Sequence, residues 1–208
     1  MKRIVISTEK GTKEPEVLPT LLEKGLDYFH IRKPGFSEEA MQSFLDKVPR
    51  AALPYCVLHS HHHLALNHDL GGIHFTEQAR KNIDNKKEKW AVFEKYAKKG
   101  LNISTSLHRM AELHENLWLF DYAFFGPVFP SISKEGHHPR YEWSAVKKAL
   151  RDSGISTIAL GGVRPENVPQ ISEAGFAGYA LKGWVWQTED PVEAFEKTIK
   201  KEPYVSTS

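Results

Sequence analysis

The 208-residue chain sets 28 Lys and Arg against 26 Asp and Glu, a formal charge of +2, with 40% hydrophobic residues. That balance lacks the basic excess of a general nucleic-acid binder, and the apolar content excludes a disordered chain. One cysteine, Cys56, excludes an internal disulfide, and no run approaches the ~20 apolar residues of a membrane helix, so a soluble cytoplasmic globular protein is expected.

In chain order, short apolar runs alternate with amphipathic stretches. Run 3–7 (RIVIS), too short for a signal peptide, precedes a helical stretch at 14–24 that Gly25 stops. Run 28–31 leads to a helix over 37–47, with Ser37 as N-cap and Glu38 and Glu39 in the first turn. Run 55–58 is followed by a short helical segment to Asn67, and run 72–75 by a long helix carrying Trp90, Phe93 and Ala97 and ending at Gly100. The charged run 84–89 reads as a solvated helix start or a basic patch. Runs 101–104 and 121–125 precede helices at 108–114 and 142–151. Run 157–160 precedes a helix near Pro165, and run 177–181 one over 191–200. Eight βα units imply a parallel sheet and predict a single (β/α)8 TIM barrel over 1–202, with 203–208 a frayed tail. An open doubly wound sheet is the alternative.

A barrel carries its chemistry at the C-terminal strand ends, and many of the 11 histidines fall there. His30, His59 and His74 end strands and are pocket candidates; His108 opens a helix and is a candidate general acid/base, an imidazole titrating near neutrality. The cluster 59–63 (HSHHH) invites a metal reading, but adjacent helix residues diverge and no HExxH is present, so no metal site is assigned. Loop 126–138 offers Ser131, Ser133 and Lys134, donors suited to phosphate oxygens, along with His137 and His138. Gly161 and Gly162 after run seven, and Lys182 and Gly183 after run eight, suit either phosphate binding or tight turns. Arg32 could clamp a phosphate or carboxylate, and with Lys33, Lys134 and Lys182 would surround an anion with positive charge. Trp184 and Trp186 either shape the pocket or pack a helix.

Residues 126–134 (GPVFPSISK), 158–167 (IALGGVRPEN), 175–183 (GFAGYALKG) and 106–108 (SLH) together resemble the thiamine phosphate synthase/thiazole tautomerase (TenI-like) superfamily. The resemblance implies pyrophosphate binding by Ser131, Ser133 and Lys134, and phosphate binding at Gly162 and Gly183. The synthase pattern Gln-x-Arg-x-Lys after strand two reads here as His30, Arg32 and Pro34, and its Asn-Asp after strand three as His59 and Ser60. A further synthase aspartate aligns with Ala79, leaving Glu77 or Asp69 as relocated Mg2+ ligands. His-x-Arg is similar to the tautomerase branch. The resemblance therefore implies a thiazole tautomerase needing no cofactor, with His108 as general acid/base and Arg32 or Lys134 meeting the substrate carboxylate. The alternatives are a Mg2+-dependent thiamine phosphate synthase and a non-catalytic phosphate-binding barrel. The expected partner is a phosphorylated heterocycle, with no nucleic acid or membrane, and with room for a homodimer.

Overall fold

The computed structural model describes residues 1–11, 13–82, 86–130 and 141–203, with backbone alone at 86–90. Strands β1 (Lys2–Ile6), β2 (Tyr28–Ile31), β3 (Cys56–Leu58) and β4 (Gly72–Phe75) come first. They are followed by β5 (Asn102–Leu107), β6 (Tyr122–Phe125), β7 (Ser156–Leu160) and β8 (Gly178–Leu181). Each pairs in parallel with the next, and β8 returns to β1 with Lys2 opposite Gly178 and Val5 opposite Leu181. The sheet is a closed barrel, so the open-sheet alternative is overruled.

Strand side chains alternate between two layers, as the period of two requires. Ile4, Ile6, Tyr122, Phe124, Ile158 and Ala180 fill the barrel interior. Val5, Phe29, Ile31, Ile73, Phe125 and Ala159 face outward into the core shared with the helices. Phe29 is fully buried there, and truncating such a ring to Ala costs ~3–5 kcal/mol.

The outer layer comprises α1 (Glu14–Glu23), α2 (Glu38–Leu45), α3 (Glu77–Lys81), α4 (Lys86–Ala97), α5 (Trp143–Asp152), α6 (Val168–Ala174), α7 (Gly183–Trp186) and α8 (Pro191–Ile199). Ser37 caps α2 as expected, its Oγ accepting from Ala40 N–H. Other expected helices shorten to 3-10 turns at His62–Leu66 and Met110–His114, while the helix expected near Pro165 opens with a 3-10 turn at Pro165–Asn167 and continues as α6. Tyr55, assigned by pattern to the third strand, ends a 3-10 turn at Arg50–Tyr55 in which Pro54 has no N–H for a strand ladder. Trp184 and Trp186 pack: their Nε1–H groups donate to Ala194 O at 2.9 Å and Ile6 O at 2.7 Å.

Arg3 on β1 grips Glu202, just beyond α8, with Nε–Oε1 at 2.7 Å and Nη2–Oε2 at 2.8 Å. Tyr179 on β8 donates its hydroxyl to the same carboxylate at 2.6 Å. Most of the expected tail, 204–208, lies outside the described residues. No helix among the described residues is long and apolar enough to cross a membrane.

Candidate active site

The C-terminal strand ends form the barrel mouth. On its floor the inward positions of β2, β4, β5 and β6 carry His30, His74, Ser104 and Tyr122, a polar set inside an otherwise apolar interior. His30 Nδ1 is hydrogen-bonded to His59 Nε2 at 2.9 Å, and His30 Nε2 to the Tyr122 hydroxyl at 2.8 Å. Ser104 lies between Tyr122 and His74 in the strand register. Its Oγ meets His74 Nδ1 at 2.9 Å and lies 3.4 Å from Ile73 O. His74 Nε2 meets Ser106 Oγ at 2.9 Å. Burial disfavours the charged form of each imidazole, so His30 and His59 are held well below the usual histidine range and His74 at about 3. All three are neutral at physiological pH. The structure thus brings together the three candidate histidines from β2, β4 and the residue just past β3.

The remaining members of the 59–63 cluster diverge. His61 Nε2 reaches Phe36 O at 3.0 Å, His62 Nε2 reaches His74 O at 3.0 Å, and His63 pairs with Glu38 at 3.0 Å.

His108 stands just past β5, at the rim. Its Nδ1 lies 2.9 Å from Gly126 O; a carbonyl only accepts, so Nδ1 carries the proton and Nε2 presents a lone pair in the neutral ring. Nε2 faces Glu77 Oε2 at 4.0 Å. Glu112 fixes the backbone here, its Oε2 accepting from the N–H groups of His108 at 2.8 Å and Arg109 at 3.0 Å. The sequence reading missed Glu112; its signal was a carboxylate four residues after a candidate histidine.

On the opposite rim Arg32 and Lys182 come together through a residue the sequence reading did not single out. Glu9 Oε1 lies 2.7 Å from Arg32 Nη1 and 3.3 Å from Lys182 Nζ. Lys33 does not join them. Its ammonium is buried against Glu14 at 2.7 Å and over the Phe44 ring at 4.9 Å, because its strand-end position points it beneath α1 and α2. Gly161 and Gly162 have φ of +95° and +66°. A Cβ on Gly162 would stand 2.2 Å from Pro130 O, so turn geometry and close approach of the β6 loop both demand glycine there. Gly183 opens α7 beside Lys182. Ser131, Ser133, Lys134, His137 and His138 lie outside the described residues.

The family model described as thiamine monophosphate synthase matches residues 3–183. The chain belongs to the thiamine monophosphate synthase family. Within that family, a thiamine-phosphate synthase from Latilactobacillus sakei is 24% identical across all of this chain and 93% of its own length. Another from Psychrobacter sp. is 30% identical over 48% of this chain, and the match spans about half, 47%, of that relative. A solved thiamine phosphate pyrophosphorylase from Bacteroides thetaiotaomicron shares the fold, with TM-score 0.77, 24% identity and 97% of each chain covered.

Some members of the thiamine monophosphate synthase family are expected from the resemblance to use Mg2+, which takes oxygen ligands. At the ends of β2 to β4 the described residues offer imidazoles and hydroxyls instead. The Glu77 carboxylate is ion-paired with Lys81 and lies 4.0 Å from Arg109. Asp69 is exposed in the turn leading into β4, at the opposite end of the barrel, so it cannot serve as a relocated ligand. This donor set does not fit Mg2+. Nitrogens of His30, His59 and His74 lie within 4.8 Å of one another, and imidazole suits Zn2+. Yet His59 stacks on His74 at 4.1 Å and 23°, whereas two imidazoles meeting on one tetrahedral ion stand about 5 Å apart. The cluster is built as a hydrogen-bonded network. A hollow of about 610 Å3 beside Phe93, Leu101 and Asp121 opens at the start of β5, far from this chemistry.

Proposed function

We propose that this chain is a thiamine-biosynthesis enzyme acting on a phosphorylated thiazole by proton transfer, a tautomerase. The observation that carries this reading is His108: its Nδ1–H is fixed on Gly126 O at 2.9 Å, so Nε2 is aimed outward as a base. The substrate phosphate lies at the Gly162 and Gly183 backbone with Lys182, and its carboxylate meets Arg32. His108 Nε2 takes a proton from one ring carbon. The resulting imidazolium is stabilised by the Gly126 carbonyl and by the Glu77 carboxylate 4.0 Å away. A proton is then delivered to another position of the aromatising ring. Nothing in this sequence needs a metal, in keeping with the poor fit for Mg2+.

A second reading is thiamine phosphate synthase, which joins a pyrimidine pyrophosphate to the thiazole phosphate. The names of the relatives support it over the tautomerase reading. The lack of an oxygen donor set for Mg2+ among the described strand-end residues weighs against it. The test incubates purified protein with the thiazole tautomer phosphate, with and without pyrimidine pyrophosphate and Mg2+. Aromatic product without the second substrate, lowered ~10²-fold or more by His108→Ala, supports the tautomerase. Mg2+-dependent pyrophosphate release supports the synthase. A raised melting temperature with neither product supports a phosphate-binding barrel without catalysis.

A further inference from the structure

His108 accounts for one proton-handling group, but a shift of hydrogen between two ring positions has two ends. The floor of the mouth holds a second device. His59, His30 and Tyr122 form one hydrogen-bonded run, with links of 2.9 and 2.8 Å, and Ser104, His74 and Ser106 form a second, with links of 2.9 and 2.9 Å. The two runs meet where Ser104 stands opposite Tyr122 in the strand register, both on the inward face of the barrel. Every member has a donor and an acceptor when neutral. His59 Nδ1 has no partner among the described residues, and Ser106 at the other end is two residues from His108. Both ends are half-buried at the mouth.

We infer that the two runs together are a proton relay joining the β3 and β5 sides of the pocket. The inference rests on the proton-transfer reading above. A proton enters at His59 Nδ1. His59 Nε2–H passes to His30 Nδ1, and His30 Nε2–H to the Tyr122 oxygen. The Tyr122 hydroxyl proton moves to Ser104, that of Ser104 to His74 Nδ1, and His74 Nε2–H to Ser106. Ser106 releases its own proton. One proton enters, one leaves, and no member is charged before or after. The three rings change tautomer together, and exchange with water at the two ends resets them. Burial, which penalises a charged imidazole or phenolate, favours concerted passage over a trapped ion.

Directionality makes the relay testable without any turnover. All three histidines must share one tautomer, either all Nε2–H or all Nδ1–H. Nitrogen-15 NMR of the side chains in the whole protein reads this directly. A shared tautomer is expected; a mixed set means the chain changes direction at a hydroxyl and overturns the relay, whichever reaction the protein performs. With the thiazole tautomer phosphate, Tyr122→Phe and Ser104→Ala should each lower kcat by about tenfold or more with KM unchanged. The double variant should lose no more than either single one, since one wire is cut twice. Folded variants with full kcat, or losses that multiply, also overturn it. If the wild-type protein yields no aromatic product, the function reading falls while the tautomer measurement still decides the relay.

Discussion

Replacing Glu112 with Gln removes one charge from the support beneath His108. Glu112 is fully buried, and one oxygen accepts both backbone N–H bonds described above. The other faces Arg80 at 3.1 Å, Arg109 at 3.2 Å and Lys81 at 3.2 Å. Burial alone would raise its pKa, but the two N–H donors and the Lys81 and Arg109 cations outweigh it and hold the carboxyl at about 2, against 4.5 ordinarily. That gap is worth about 3 kcal/mol at neutral pH. Because the folded pKa is depressed, the contribution is complete above about pH 4.5 and is lost as pH falls towards 2. Glu112→Gln should therefore cost about 3 kcal/mol at pH 7, a fall in Tm of roughly 6–12 °C for a chain of this size. Urea unfolding of both proteins at pH 7, 5 and 3 measures the difference, which should hold at pH 5 and shrink at pH 3. A difference below about 1 kcal/mol at pH 7, or one that ignores pH, refutes the reasoning.

Gly162→Ala combines a positive φ with a Cβ placed 2.2 Å from Pro130 O; it should lower Tm and weaken phosphate binding, read by calorimetry with inorganic phosphate. Glu9→Gln frees Arg32 and Lys182 from an internal carboxylate. Since such exposed pairs are worth ~0.2–1 kcal/mol, inorganic phosphate should bind about 1.4- to fivefold more tightly, with the gain fading at high salt. Lys33→Met leaves the buried Glu14 carboxylate without its cation and should cost about 3–5 kcal/mol in urea unfolding; Glu14→Gln added to it should recover part of that loss.

The barrel was legible because all eight of its strands announce themselves as apolar runs between helix signals. The end of β5 did not, and the strand runs to Leu107 rather than stopping at 104. Ser104 and Ser106 point into the barrel to meet His74, so the usual apolar mark of an inward position is missing. The placement of His30, His59 and His74 at or next to strand ends was readable. Their assembly was not, since His30, His59 and His74 come from three separate strands and meet through Tyr122 and Ser104, whose sequence context marks only strand. Lys33 misled because sequence displays its charge but not the Glu14 carboxylate and Phe44 ring that enclose it. Glu9 escaped for the opposite reason: a lone carboxylate in a loop carries no pattern until Arg32 and Lys182 converge on it.

The clasp of Arg3 and Tyr179 on Glu202 joins residues as far as 199 positions apart in the chain. A chain emerging from the ribosome presents β1 with one open edge until residues 178–181 exist to pair with it, and the ionic seal waits longer, for residue 202. Chains made only as far as the seventh strand, with one flank bare, are thus the species most exposed to pairing with a neighbour. Closure arrives as a late step, and its guard is a single carboxylate shared between the first strand and the eighth.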